Sequence, residues 1–324
     1  MIYSRIIGTG SALPEKIVTN KDLEKIMDTD DQWIRERTGI RERRVVVEGE
    51  TTTTLAEEAC RKAMDAADVD PNEIDLLMIG TTTPDLIFPS SACLIQKKLG
   101  LPDCGAMDVN AACSGFIYAL SVADKFIRCG DAKKVLVCGS ETLTSMVNWN
   151  KRDTAVLFGD GAGAVVLEAS GESGILSTHI HANGNHADLL NTEVGVSRGF
   201  AGMDENDGKP ELKMKGNEVF KVAVRTLGRI VDETLEANNM DKSDLDWLIP
   251  HQANLRIIVA TARKLEMSMD HVVITVDRHG NTSSASVPLA LDEAVRDGRI
   301  KRGNMLLLEA FGGGFTWGSA LIKY

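Results

Sequence analysis

The sequence lacks the features that would take a chain out of aqueous solution. Its longest apolar runs, such as "KVLVCGS" and "NMLLLEAF", are strand-sized and far short of a membrane span. The opening "MIYSRIIGTG" has no basic segment followed by a long apolar one. Both absences lead us to expect a cytoplasmic protein with no membrane partner. Paired cysteine spacing is missing as well. The six cysteines, at 60, 93, 104, 113, 129 and 138, include no Cys-x-x-Cys and no zinc pattern, and 324 residues are too many to need disulfide staples. Reduced thiols are expected. Histidines 179, 181 and 186 in "HIHANGNH" have no second cluster and no carboxylate at ligand spacing, so they read as a solvated strand edge and loop rather than a metal site. Positive charge is short too. With 36 basic against 47 acidic residues the net charge is −11, which argues against nucleic acid as a partner. Two segments run against that sign, "KPELKMKGNEVFK" (209–221) and "RIIVATARK" (256–264), and offer a local basic surface for an acidic partner.

What is present is alternation. Hydrophobic periodicity predicts strands near 3–9, 75–80, 104–109, 134–139 and 155–168, and helices near 52–67, 91–99, 113–129 and, briefly, 141–149. The order then repeats: a strand from about 173, a helix over 216–238, a strand at 245–249, a helix over 253–266 and a strand at 272–276. A helix over 283–297 and paired strands at 304–310 and 315–323 follow. Residues repeat with the elements. "DLLMIGTTT" matches "DWLIPHQAN", "MDVNAACSG" matches "VDRHGNTSSAS", and "LFGDGAGAVVLE" matches "AFGGGFTWGSALIK". Three matches in one order indicate a duplicated α/β chain, with halves 1–172 and 173–324. Residues 183–215 look like a long excursion inserted into the second half.

One cysteine stands apart from the other five. After the strand "CGAMDV" the chain turns at Asn110-Ala111-Ala112 and enters a helix with Phe116, Ile117, Leu120 and Ile127 on its apolar face. Cys113 opens that helix, where unpaired N–H groups and the helix dipole favour thiolate. The second half offers polar groups at equivalent places: His251 after "LDWLI" and Asn281 after "HVVITV". Ligands collect outside the carboxyl ends of strands in such architectures, so these side chains are candidates to converge on Cys113. The run "FGGGF" (311–315) has more glycine than a turn needs and suggests backbone N–H groups close to a ligand.

These residues together identify the chain as similar to a known family. "DVNAACSGF", "PHQAN", "HGNTSSAS" and "EAFGGGFTWGSAL", with "DDQWIRERTGIRER" and "LFGDGAGA", closely resemble the β-ketoacyl-acyl carrier protein synthase III family of the thiolase superfamily. The resemblance runs the length of the chain. It implies an α/β, thiolase-like five-layered αβαβα fold of two duplicated halves, usually a homodimer. It implies an acyltransferase that initiates type II fatty acid synthesis: Cys113 takes a short acyl group, acetyl being expected, from acyl-CoA. His251 and Asn281 then serve decarboxylative condensation with malonyl-acyl carrier protein. The amides of Cys113 and Gly313 would form the oxyanion hole, and no metal or redox cofactor would be needed. Coenzyme A positions fall on Trp33, Arg37 and Arg152. Phe88, reaching in from the partner subunit, would close the acyl pocket. Lys221, Arg256, Arg263 and Lys264 would dock the carrier protein.

Other readings weigh less. A thiolase needs a second cysteine in its C-terminal glycine loop, and none follows Cys138. A papain-like hydrolase also uses Cys, His and Asn, but it is not a duplicated α/β chain and its cysteine lies near the mature N-terminus. A non-catalytic carrier-protein-binding homologue would lack the cysteine. A related synthase with a longer or branched primer stays open.

Overall fold

The computed structural model describes residues 2–192, 195–198 and 210–324. Its first sheet is built from β1 (Tyr3–Ala12), β2 (Leu76–Gly80), β3 (Gly105–Val109), β4 (Lys134–Thr142) and β5 (Asp160–Ser170), in the order β1-β5-β4-β2-β3. The second comprises β6 (Ile175–Ala182), β7 (Trp247–Pro250), β8 (Met305–Gly312) and β9 (Thr316–Lys323), in the order β6-β9-β8-β7. Directions match: β1-β5 and β5-β4 are antiparallel and β4-β2 parallel, as are β6-β9, β9-β8 and β8-β7 in turn. Sequence repeats with topology. From Asp75 to Asp246, from Ala112 to Ser283 and from Lys134 to Met305 is the same 171-residue step. Asp75 accepts from the Lys134 N–H through Oδ2, and Asp246 accepts from the Met305 N–H in the same way.

Helices complete five layers. α1 (Asp31–Thr38) precedes α2 (Thr52–Ala67) and α3 (Ser91–Leu99), and the latter two cover the outer face of the first sheet. α4 (Gly115–Cys129) and α7 (Ser286–Arg296) lie between the sheets, and α5 (Gly216–Ala237) and α6 (Leu255–Leu265) cover the second. β2 is buried on both faces, which is why "LLMIG" is continuously apolar: Met78 faces the central helices and Leu77 and Ile79 face α2 and α3. The central core joins Met78 and Val137 of one sheet to Leu306 and Leu308 of the other through Phe116, Leu120 and Leu291. Neither half buries its inner face without the other.

Four local expectations are corrected. No helix spans 141–149: β4 continues to Thr142 and a 3₁₀ turn follows at Leu143–Met146. The strand read from 155 begins at Asp160, after a one-turn helix at Arg152–Ala155. Residues 272–276 make only an isolated bridge, Leu248 to Val272. There the Gln252 amide stands in for a ladder, donating to the Val273 and Pro250 carbonyls and accepting from the Thr275 and Val276 N–H groups. Finally, His179 and His181 are not simply solvated, since both meet Glu233 of α5, at 3.3 and 2.9 Å. Of the 183–215 excursion, Leu190–Asn191 pairs with Lys213–Met214, while 193–194 and 199–209 lie outside the described residues.

Candidate active site

Cys113 lies in a 3₁₀ turn, Ala112–Ser114, that feeds α4. Gly312 at the end of β8 brings the glycine loop against it, because a Cβ there would lie 2.6 Å from the Cys113 nitrogen. Gly313 stands beside the same turn, with the Ala112 Cβ as a near neighbour. Cys113 is 8% exposed. Burial pushes it up to about 12, with the charge of Glu141 adding to the rise and a hydrogen bond from Ser283 opposing it. Burial thus works against the thiolate that the helix start favours.

His251 follows β7, its N–H held at 2.8 Å by the Glu309 carbonyl and its Nδ1 2.6 Å from Ser286 Oγ. Ser286 Oγ already accepts from the Gln252 N–H, so its own proton is available to Nδ1. That places the ring proton on Nε2 as a donor. Burial lowers His251 to about 3, so the ring is neutral at physiological pH. Asn281 is fixed at both ends of its backbone, its N–H donating to the Leu157 carbonyl at 2.8 Å and its C=O accepting from the Gly159 N–H at 3.0 Å. Its Oδ1 takes the Ser283 N–H at 2.9 Å, leaving the amide NH₂ as the donor end.

Cys113, His251 and Asn281 line one cavity of about 270 Å³, whose wall also includes Trp33, Arg37, Phe220 and Arg256. The three polar groups are buried and the two arginines exposed, so the cavity runs from a cationic mouth to a neutral, hydrogen-bonding floor. At the mouth, the guanidinium groups of Arg37 and Arg152 lie 4.9 and 4.7 Å from the centre of the Trp33 ring. α1 is set there by its stop: Gly39 takes φ +81°, and Asn254 Nδ2 donates to the Arg37 carbonyl. The excursion contributes Leu190 and Met214 to the wall, a role its composition did not reveal.

Other expected positions lie outside the cavity. Phe88 is 84% exposed and, with Leu86 and Ile87, forms an apolar surface patch without touching its own chain's cavity. Lys221, Arg256 and Arg263 are exposed, and Arg256 packs over the Phe220 ring at 5.3 Å. Lys264 is already paired with Asp232 at 2.7 Å. Sequence reasoning passed over Arg225 and Arg229, which are exposed and follow Lys221 at four-residue steps on α5; that spacing was the available signal. Among the described residues no group of His, Cys, Asp and Glu has metal-site geometry, and no helix is long and apolar enough to cross a membrane.

Residues 107–184 match the family described as 3-Oxoacyl-[acyl-carrier-protein (ACP)] synthase III, and residues 235–324 match its C-terminal family. The chain is 68% identical over 323 residues to "Beta-ketoacyl-[acyl-carrier-protein] synthase III" of Xanthomonas euvesicatoria pv. vesicatoria (strain 85-10), covering 100% of this chain and 99% of that one. The chain belongs to the β-ketoacyl-[acyl-carrier-protein] synthase III family. Among solved structures, the synthase III from Aquifex aeolicus VF5 superposes with a TM-score of 0.93 at 47% identity, over 99% of this chain and 100% of the other. That of Thermus thermophilus gives 0.92 at 41% identity, over 99% of each chain. The fold is the thiolase fold, and the protein is a condensing acyltransferase that initiates fatty acid synthesis.

Proposed function

We propose that Cys113 accepts a short acyl group, acetyl first, from acyl-CoA, and that the acyl-cysteine then condenses with malonyl-acyl carrier protein. Products of the cycle are 3-oxoacyl-acyl carrier protein, carbon dioxide and coenzyme A. Neutral His251, through Nε2–H, and Asn281, through its amide NH₂, donate to the thioester carbonyl of the malonyl group. They stabilise the enolate as carbon dioxide leaves. The amides of Cys113 and Gly313 hold the oxyanion of each tetrahedral intermediate. No metal or redox cofactor is called for, because decarboxylation generates the carbanion and the donors spread its charge. The observation carrying this reading is the convergence of one buried thiol and two neutral donors on one cavity from opposite halves.

Trp33, Arg37 and Arg152 suit coenzyme A at the mouth, where a purine can stack and guanidinium groups can pair with phosphate. Lys221, Arg256 and Arg263 suit the acidic carrier protein, with Lys264 contributing less while it is paired with Asp232. A homodimer is supported by two adjoining features: β3 is the edge of its sheet, and Leu86, Ile87 and Phe88 are exposed. In that dimer Phe88 would reach the partner's acyl pocket. We place the enzyme in the cytoplasm and divide its halves at residues 172 and 173. Intact mass spectrometry after mixing with acetyl-CoA tests the reading: an acetyl adduct on Cys113 supports it, and no adduct favours a binding role. Rates with acetyl-, butyryl-, octanoyl- and branched acyl-CoA then decide the primer.

A further inference from the structure

The amide of Asn281 can serve the proposed decarboxylation only if its donor end is held toward the cavity. Its backbone is pinned to Leu157 and Gly159, and its side chain is oriented by the Ser283 N–H, which donates to Oδ1 at 2.9 Å. Ser283 in turn stands at φ +51°, a region that non-glycine residues occupy only when their surroundings dictate it. A side chain from the other half of the molecule meets it there. Glu141, at the end of β4, is fully buried, and its partners are hydroxyls and one amide rather than a cation. Its Oε2 accepts from Thr83 Oγ1 at 2.7 Å, the Thr82 N–H at 3.0 Å and Thr82 Oγ1 at 3.1 Å, all from the segment that follows β2. Its Oε1 accepts from Ser283 Oγ at 3.0 Å. Ser284 Oγ is also 3.0 Å from Oε1, but its proton goes to the Gly80 carbonyl at 2.7 Å, so Ser283 makes the link. Ser283 has one hydroxyl proton to give, and a carboxylate accepts it in preference to the neighbouring Cys113 thiol, a weak acceptor.

The duplication shows the same arrangement from the other side. One 171-residue step from Glu141 stands Gly312, at the end of β8, and Gly312 packs so closely on the Cys113 turn that a Cβ would lie 2.6 Å from the Cys113 nitrogen. The matching strand of each half thus ends against the functional turn of the other. Against Cys113 the contact is bare backbone. Against the Asn281 turn it is a carboxylate, with Gly139 beside it giving room to the Ser284 carbonyl, which a Cβ would meet at 2.3 Å. We infer that Glu141, acting through Ser283, is the positioning residue of the Asn281 donor. Its carboxylate ties the segment after β2 to Ser283, Ser283 occupies Asn281 Oδ1, and the amide NH₂ is left for the malonyl thioester. Glu141 touches no substrate, and its effect on decarboxylation passes through Asn281.

This inference rests on Asn281 being a donor in decarboxylation, and the test separates the two. Full-length wild type is compared with Glu141→Ala, Glu141→Gln and Ser283→Ala, each also made in an Asn281→Ala background. The readouts are carbon dioxide release from malonyl-acyl carrier protein without acyl-CoA, single-turnover acetylation of Cys113 by acetyl-CoA, and the melting temperature of each protein. Glu141→Ala should lower kcat for decarboxylation by roughly 10- to 100-fold with KM changed by less than about threefold, as expected when a donor to the transition state is misplaced. Ser283→Ala leaves the carboxylate and its threonine partners in place; it should lower kcat by at least about threefold, and it decides the matter if Glu141→Ala folds poorly. Glu141→Gln should recover most of the rate, because its C=O can accept from Thr82 and Thr83 while its NH₂ donates to Ser283 Oγ. In the Asn281→Ala background none of the three should slow decarboxylation further by more than about twofold, since the group they position is gone. Acetylation should fall by less than about threefold throughout, because that step does not use Asn281. Unchanged decarboxylation in Glu141→Ala and Ser283→Ala overturns the inference. The same fold-loss with and without Asn281, or equal slowing of acetylation, overturns it as well, because either would show a general structural role. If Asn281→Ala alone leaves decarboxylation intact, the donor reading itself has failed and the inference falls with it.

Discussion

After β3 the chain runs Asn110-Ala111-Ala112-Cys113-Ser114, and 171 residues later it runs Asn281-Thr282-Ser283-Ser284-Ala285. Each turn opens with an asparagine whose Oδ1 accepts the N–H two residues on, at 3.4 Å from Ala112 and 2.9 Å from Ser283. Each has its third residue at positive φ, +47° and +51°, and each leads through a 3₁₀ turn into a central helix. Their exposures are reversed. Asn110 is exposed and Cys113 lines the cavity; Asn281 lines the cavity, and Ser284, at the position of Cys113, donates its hydroxyl to the Gly80 carbonyl at 2.7 Å, with Glu141 Oε1 3.0 Å from the same oxygen. One backbone design thus supplies a nucleophile from its fourth position in one half and a donor from its first position in the other. Chemistry here is set by which position faces the shared cavity, not by the turn itself.

The strongest way to break that comparison is to move the nucleophile. Cys113→Ala should lower acyl transfer by at least ~10³-fold, because no other side chain in the site can carry the acyl group. Adding Ser284→Cys to it should restore nothing, since that position faces Glu141 and Gly80 instead of the cavity. Measurable acylation of residue 284 would show that the two turns are interchangeable after all.

Asparagine gives the next contrast. Asn281→Ala, like His251→Ala, should cut decarboxylation of malonyl-acyl carrier protein by roughly 10²–10³-fold while sparing much of Cys113 acylation. Asn110→Ala removes the same side chain from the same backbone position, but on the exposed side, and should change either half-reaction by no more than about threefold. Radiolabelled carbon dioxide release from malonyl-acyl carrier protein, measured without acyl-CoA, distinguishes the pair. Similar losses for both asparagines would mean that Asn281 matters for the turn and not for the donor.

Much of this was legible in the sequence, and the failures have physical causes. α2 and α3 have the bounds their periodicity predicts, because an amphipathic stripe and a capping Thr51 or Ser90 act locally. β4 was read short because its end, Ser140-Glu141-Thr142, is polar yet buried, satisfied by hydroxyls from 58 to 143 positions away in the chain. The segment "VVITV" has strand composition but loses its ladder to the Gln252 side chain. Cys113, His251 and Asn281 could be picked out because each ends a strand or opens a helix. The burial that works against a Cys113 thiolate could not, since helix position was visible and burial was not.

Buried acids sharpen the comparison of the two sheets. Glu141 in the first is ringed by donors, whereas both oxygens of Glu309 in the second lack a hydrogen-bond partner among the described residues. Burial raises Glu309 to about 8. An unfolded glutamate releases its proton near ~4.3, so the folded state binds more protons between these values. Stability therefore falls as pH rises through that window and levels off above pH 8. Glu309→Gln keeps the shape and removes the titration. Its melting temperature should gain on the wild type as pH rises, by an amount equivalent to roughly 2–5 kcal/mol at full ionisation. Parallel melting curves from pH 5 to 9 would mean that Glu309 does not titrate in this window.

The halves also differ in what they show to solvent beyond β2 and β7. The segment after β2 exposes Leu86, Ile87 and Phe88, while α6, after β7, exposes Arg256 and Arg263 beside Lys221 of α5. An apolar face suits a second copy of the chain and a cationic one an acidic partner. At a net charge of −11 the whole molecule repels an acidic protein, so attraction must be local, within a Debye length of about 8 Å at physiological salt. Arg256 is the basic residue of this face that also lines the cavity mouth, and no acidic side chain pairs with it among the described residues. Arg256→Glu should raise KM for malonyl-acyl carrier protein by about tenfold and flatten the salt dependence of kcat/KM, as expected for a charge that steers encounter. Acetylation of Cys113 by acetyl-CoA needs no docked protein and should change by less than about threefold, even though Arg256 lines the mouth, because Trp33, Arg37 and Arg152 are untouched. Charge reversal at Lys264 should weaken docking less, since its ion pair with Asp232 already offsets its field. Equal losses in both half-reactions for Arg256→Glu would place that residue in coenzyme A binding, and no loss in either would leave the cationic face without a partner.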